Sequence, residues 1–305
     1  MTGIYLEPGK SIFAQGSNTY YKIIKYLGQG GNAIAFRVQC TDGPYKGIAF
    51  VLKVQYNLST QSRRERFAHE TAFLKKELHP AILRHFDEGD YKLLDGRVYP
   101  FVITNYCPTT LAKVIAAGNA NFQDKVLYAC QLLSALQLLQ SKNIIHRDIK
   151  PNNIFVNGSD AILGDFGLIK KLDASDQIEE SCDDIDMINE TAFHSADGYV
   201  AMPFFYRTPE LVAYANKEDV LHLESDVFQL GLVLAELFTG ENPLVPSTNI
   251  KEPIRLKKLA QITGTQDGGL VFKLLRSMLT IDYKERAKVD DLLNSFNMLY
   301  EKVGA

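Results

Sequence analysis

No run of about 18 apolar residues occurs anywhere in the 305-residue chain, which excludes a membrane-spanning helix. The opening stretch MTGIYLEPGKSIFAQG has neither a basic n-region nor an apolar h-region, so no secretory signal is expected. Thr2 stands where N-myristoylation needs glycine. Cysteine is scarce. Cys40, Cys107, Cys130 and Cys182 are too few for a disulfide scaffold and too widely spaced for a zinc pattern, so reduced thiols and a cytoplasmic location are expected. Nor is there a basic excess: 33 Lys and Arg against 36 Asp and Glu give a formal charge of −3. No global field therefore draws nucleic acid or an anionic membrane surface. Internal repeats and low-complexity tracts are also missing, and nothing speaks to oligomeric state.

What the chain does have is 46% hydrophobic residues, enough for a sizeable core. Its first hundred residues read as strands with one helix. Tyr20–Leu27 is a β-rich run that ends in the cluster Gly28-Gln29-Gly30-Gly31-Asn32, and Ala33–Gln39 resumes an extended pattern, as in a hairpin. Ile48–Val54 has the composition of a buried strand. Residues 62–77 place Phe67, Thr71 and Leu74 at helical spacing, and strand-like runs follow at Leu83–Asp87 and Val98–Asn105. Beyond these the period changes. Phe122, Val126, Ala129, Leu133, Leu136 and Leu139 recur every three or four residues, the mark of a helix with a buried face. Similar patterns return at 226–239, 268–279 and 288–302. The expectation is an α+β chain in which a small β-rich lobe precedes a larger helical one, with a ligand cleft between two separate cores.

The densest polar segment is His146-Arg147-Asp148-Ile149-Lys150-Pro151-Asn152-Asn153, followed twelve residues later by Asp165-Phe166-Gly167. In order and spacing these resemble the catalytic-loop and metal-binding motifs of the eukaryotic-type protein kinase family, serine/threonine branch. The resemblance runs from about residue 20 to 300 and implies the two-lobed kinase fold, with ATP and Mg²⁺ as cofactors (Mn²⁺ a possible substitute) and proteins as substrates. Phosphoryl transfer spreads negative charge over the transferring group, so a site for it needs cations and positioned acceptors. By the resemblance Asp148 accepts the substrate hydroxyl's proton, and Lys150 reaches the γ-phosphate, a basic residue typical of the serine/threonine branch. Asn153 and Asp165 offer the hard oxygen ligands that Mg²⁺ prefers.

Gly28, Gln29, Gly30, Gly31, Asn32 and Ala33 look like the family's glycine-rich loop. They join two strands instead of opening a helix, which argues against a Rossmann or Walker loop. The family's third glycine is Ala33 here. Lys53 matches the strand lysine that contacts the α- and β-phosphates, and its partner acid should lie on the 62–77 helix. Glu70 and Glu65 compete, and Glu70 is favoured because the residue four positions on is apolar Leu74, whereas Glu65 has His69. Thr104 falls at the gatekeeper position and Asn105, Tyr106 and Cys107 at the hinge, and Val51 and Phe155 complete the ATP-contacting set. Structural or regulatory roles are implied for His146, Arg147, Phe166, Gly167 and Asp226. They are also implied for Glu210, in Thr208-Pro209-Glu210, with Arg286 as its ion-pair partner.

Three further expectations complete the reading. Residues 1–19 form an N-terminal extension, and 20–300 form the kinase domain, divided near 105/106. The segment 172–193 carries eight acids and no lysine or arginine, which suits a solvated loop. Thr191 and Ser195 in this region are candidate autophosphorylation sites. The rival readings are a small-molecule kinase of the aminoglycoside or choline type and a pseudokinase scaffold that binds nucleotide without turnover. The first generally lacks Asp-Phe-Gly and Thr-Pro-Glu, and the second usually loses one of the residues matched here by Lys53, Asp148, Asn153 and Asp165.

Overall fold

Alternation of apolar and polar residues builds the strands of the chain's first third into one antiparallel sheet. A computed structural model describes residues 4, 6–30, 32–172 and 204–304. The strands are β1 (Ser11–Ala14), β2 (Thr19–Gln29), β3 (Ala33–Cys40), β4 (Ala49–Gln55), β5 (His85–Lys92) and β6 (Val98–Asn105), in the spatial order β1-β2-β3-β4-β6-β5. Every second residue of β3 and β4 faces inward: Ile34, Phe36, Val38 and Cys40 on one, Phe50, Leu52 and Val54 on the other, all at most 3% exposed. This is the period-2 burial a pleated strand imposes. Tyr21, Ile23, Phe101 and Ile103 join the same core, as do Ile4, Leu6, Ile12 and Ala14 from the chain's beginning.

Helix α1 (Gln61–Lys76) follows β4. Thr60 caps it by accepting from the Arg63 amide, and Lys75 and Lys76 sit in its last turn, where cations complement the helix dipole. Its buried residues are Glu70, Thr71, Phe73 and Leu74. The sequence places the fifth strand at Leu83–Asp87, but pairing with β6 runs over His85–Lys92 with a register shift between His85 and Asp87. The bulge absorbs the odd residue there.

By internal contacts the chain forms two compact units. One reaches to His79 and resumes over Leu83–Cys107; the other comprises Pro80–Ile82 and the chain from Pro108 onward. The second unit holds short strands β7 (Thr109–Thr110), β8 (Ile144–Ile145), β9 (Ile154–Asn157), β10 (Asp160–Leu163) and β11 (Lys170–Lys171). Its helices are α2 (Leu111–Ala117), α3 (Phe122–Ser141), α4 (Pro209–Ala215), α5 (Glu224–Thr239), α6 (Gly268–Met278) and α7 (Val289–Gly304). Helix α2 is ended by Gly118 in the left-handed region, φ 61°. Helix α5 is buried on nearly every side, as a helix at the centre of a helical unit must be. A Cβ on Gly231 would lie 2.9 Å from the Met278 Cβ, so glycine permits the approach of α5 to the end of α6. Among the described residues no helix is long and apolar enough to cross a membrane.

Candidate active site

In the first unit, β2 and β3 are joined by a turn in which the Gly30 amide donates to the Ala33 carbonyl at 2.9 Å. A Cβ placed on Gly28 or Gly30 would meet nothing within 4 Å. These glycines therefore leave open space above their backbone rather than relieve a clash inside the chain, as a phosphate cradle requires. Gly31 lies outside the described residues.

Lys53 sits on β4 opposite Ala35 and Val102. Its Nζ donates to Glu70 Oε1 at 3.2 Å, with the two side chains 28% and 9% exposed. Glu65 accepts instead from Gln61, four residues earlier on the same helix. Val51 pairs in register with Thr104, whose side chain is buried. The Asn105 side chain is engaged twice: Oδ1 accepts from the Arg84 amide at 2.9 Å and Nδ2 donates to Cys107 Sγ at 3.6 Å. The Arg37 guanidinium lies 4.7 Å from the centre of the Tyr106 ring.

In the second unit, the 146–153 loop is held from beneath by α5. The amides of His146 and Arg147 donate to the two oxygens of Asp226, at 2.6 and 3.0 Å. Gln229, one turn further along α5, accepts from the Ile149 amide at 3.0 Å and donates to the Arg147 and Tyr206 carbonyls. Sequence reasoning singled out Asp226 and missed Gln229. The available signal was its i+3 spacing from Asp226, as a polar residue between apolar Phe228 and Leu230. Burial raises Asp226 to about 7, opposed by the two amides it accepts.

The two loops contain two unfavourable backbone conformations. Arg147 has φ 69° and Asp165 φ 58°, left-handed values costing about 1–2 kcal/mol for a residue with a Cβ. Arg147 Nε donates to the Leu168 carbonyl at 2.5 Å, and the fully buried Phe166 packs against His146 with ring centres 4.8 Å apart. Gly167 lies in the turn closed by the Ile169 amide on the Phe166 carbonyl. Buried Phe166 and the Arg147–Leu168 bond thus tie the 165–168 segment to the 146–148 segment.

Asp148 stands at the open end of this arrangement, its side chain 18% exposed. Its Oδ2 receives Lys150 Nζ at 2.9 Å and Asn153 Nδ2 at 2.8 Å. Desolvation raises its pKa and the charge of Asp165 adds to the rise, while Lys150 and Asn153 oppose it. Because Asn153 spends its Nδ2 on Asp148, its remaining side-chain atom is an acceptor oxygen. Among the described residues no three His, Cys, Asp or Glu side chains converge as a metal cage. An amide oxygen from Asn153 with the Asp165 carboxylate is a hard two-donor set, which suits a divalent cation that completes its shell with water and phosphate oxygens. Phe155 is half-buried on β9, in register with Thr110 and Ile162.

The 208–210 turn is anchored further back. Glu210 pairs with Arg286 at 2.7 Å, and Thr208 caps α4 by accepting from the Leu211 amide while sharing a 2.6 Å hydrogen bond with Ser225. Thr208 thus acts as the N-terminal cap of α4. Thr191, Ser195 and the acidic run from Asp173 onward lie outside the described residues.

A model of the protein kinase domain matches residues 21–296. Among curated proteins the chain is 29% identical to mitogen-activated protein kinase pmk-3 of Caenorhabditis elegans, over 82% of this chain and 50% of that protein. It is 28% identical to the probable serine/threonine-protein kinase glkA of Dictyostelium discoideum, over 80% and 45%. To the serine/threonine-protein kinase shk2 of Schizosaccharomyces pombe it is 25% identical, over 90% and 43%. The chain therefore spans half or less of these relatives' lengths. The matched residues include both the Lys53–Glu70 pair and the 146–167 loops, and the chain belongs to the protein kinase family.

Proposed function

We propose that this chain is an active serine/threonine protein kinase that transfers the γ-phosphoryl group of ATP to hydroxyls of protein substrates, with Mg²⁺ as its metal and Mn²⁺ as a substitute. The observation that carries this reading is the state of Asp148. Its Oδ2 is fixed by Lys150 and Asn153, and burial raises its proton affinity. A general base needs both, a set geometry and an affinity matched to the proton it takes. Asp148 then orients the substrate hydroxyl and accepts its proton as the oxygen attacks phosphorus, and Lys150 stabilises the charge that develops on the transferring group.

Bound Mg²⁺ would neutralise charge on the phosphates, and Asn153 and Asp165 are its ligands in this reading. Lys53, oriented by Glu70, is the cation for the α- and β-phosphates. The backbone of 28–33 covers the phosphates, while Val51, Thr104, Asn105, Cys107 and Phe155 form the adenine surroundings. The serine/threonine assignment rests on Lys150, two positions after the base, and on the names of the relatives. Autophosphorylation at Thr191 or Ser195 belongs to the same proposal.

Calorimetry of Mg-ATP binding beside a phosphotransfer assay tests it. Asp148→Asn should bind nucleotide nearly as well as the wild type but turn over roughly 10²–10⁴-fold more slowly, the range for a lost general base. Unchanged turnover would reject the role of Asp148. A wild-type protein that binds Mg-ATP without transferring phosphate would reject the enzyme.

A further inference from the structure

We propose that Tyr56 and Asn57, on the link between β4 and α1, are positioning residues that hold the glycine turn and couple it to the helix carrying Glu70. The inference rests on the reading of residues 28–33 as the phosphate-binding turn and adds to it the device that sets the turn's geometry.

Three hydrogen bonds tie the turn to this link. The Tyr56 hydroxyl donates to the Gly30 carbonyl at 2.5 Å, and the Tyr56 and Asn57 amides donate to the Asn32 carbonyl at 3.0 and 3.3 Å. The Tyr56 ring is partly buried against the sheet core, so its hydroxyl is a fixed point that does not follow the turn. Asn57 continues the chain of contacts: its Oδ1 accepts from Arg63 Nη1 at 2.5 Å and from Ser59 Oγ at 3.2 Å. Arg63 lies in the first turn of α1, where its amide is capped by Thr60. Glu70, on the same helix, pairs with Lys53. Glycine turn, Tyr56-Asn57 and the start of α1 therefore form one continuous relay within the first unit.

Glycines give a turn freedom that a bound nucleotide must remove, and that ordering weakens binding. Ties made before the ligand arrives reduce this loss. Since the same relay ends on α1, a movement of that helix reaches the turn through Arg63 and Asn57. By linkage, nucleotide on the turn then favours the helix position in which Lys53 meets Glu70.

The test uses the whole chain, a fluorescent ADP analogue with Mg²⁺ for affinity, and peptide phosphorylation for KM and kcat. Tyr56→Phe removes only the hydroxyl. It should raise Kd for the analogue and KM for ATP by roughly 3–10-fold, the loss of one hydrogen bond, with a smaller change in kcat. A purely structural role would instead lower the amount of active protein and leave KM alone. Arg63→Gln should give a smaller rise, and the double variant should fall short of the product of the two, since both changes loosen the same turn-to-helix connection. Should Tyr56→Phe fold poorly, Asn57→Ala breaks the Asn57–Arg63 link and should give the smaller rise in Kd and KM expected of Arg63→Gln. Unchanged Kd and KM in an otherwise active protein would overturn the positioning role, and fully multiplicative effects would overturn the coupling. A wild type that binds no nucleotide would instead reject the phosphate-binding reading on which both depend.

Discussion

Arg286 Nη2 and Glu210 Oε1 meet at 2.7 Å with their side chains 0% and 3% exposed, joining the first turn of α4 to the segment that precedes α7. The guanidinium is satisfied on its other sides by the carbonyls of Thr280, Glu224 and Ile281 and lies 5.0 Å from the centre of the Phe228 ring. Removing the carboxylate alone leaves a buried cation without its countercharge. Glu210→Ala should therefore cost about 3–5 kcal/mol of unfolding free energy in urea titrations. The same measurement on Lys53→Met should show about 1–2 kcal/mol, because Lys53 is partly hydrated and its pair lies between the exposed and buried limits. Equal losses would mean that burial does not set the value of these pairs.

Asp87 is a buried carboxylate that holds the start of the chain to β5. It accepts from the Ser17 amide at 3.1 Å, the Ser17 hydroxyl, the Tyr21 hydroxyl at 3.1 Å and the Glu88 amide at 2.9 Å. Burial, with the Asp87 charge beside it, pushes the Tyr21 phenol well above its ordinary range. Asp87→Ala would orphan the buried Tyr21 hydroxyl, costing about 1–3 kcal/mol, and release the part-buried Ser17 and Glu88 donors. Hydrogen exchange should then show β1 and the first half of β2 losing protection well before β3 and β4. Uniform exchange across the sheet would mean that the strand is held by its ladder alone.

The two networks differ in how far the sequence announces them. Glu70 is readable beside Glu65 because helical spacing puts Leu74 behind it, and spacing is a local property. Strand β1 is not readable: Ser11–Ala14 is four residues long, and the acceptor that fixes its turn lies 70 residues away at Asp87. Helix α2 is likewise hidden, since seven residues are too few to show a helical period. Asp226 could be placed from its motif, whereas Gln229 declares itself only once the 146–149 amides are seen to need acceptors. The Tyr56 relay is less legible still, since its key contact runs from a side chain to a backbone carbonyl 26 residues earlier. Motif residues carry their chemistry in their identity. The residues that hold them in place act through backbone atoms, which any sequence supplies.

His146 shows how such a supporting residue can be measured. Its ring is fully buried, and the Asp148 amide donates to Nδ1 at 3.3 Å, which leaves the proton of the neutral tautomer on Nε2. Burial lowers its pKa from 6.5 to about 4, with Asp165 working in the opposite direction. Between those two values the unfolded chain binds a proton that the folded chain refuses. The contribution of the neutral ring is therefore complete above pH 6.5 and is lost as the pH falls toward 4. From pH 7 to pH 5 the loss is about 2 kcal/mol for a shift of this size. Asp226, raised to about 7, has the reverse dependence, with stability present at low pH and lost as the pH rises through 7. The wild type thus sums two opposing slopes, and a variant that removes one reveals it. His146→Phe keeps a ring against Phe166 and loses the Asp148 hydrogen bond, a constant offset that leaves the difference between two pH values to report the titration alone. Urea unfolding at pH 7 and pH 5 should find the variant losing about 2 kcal/mol less than the wild type over that interval. Parallel losses in the two proteins would show that the ring at 146 already titrates near 6.5 in the folded state.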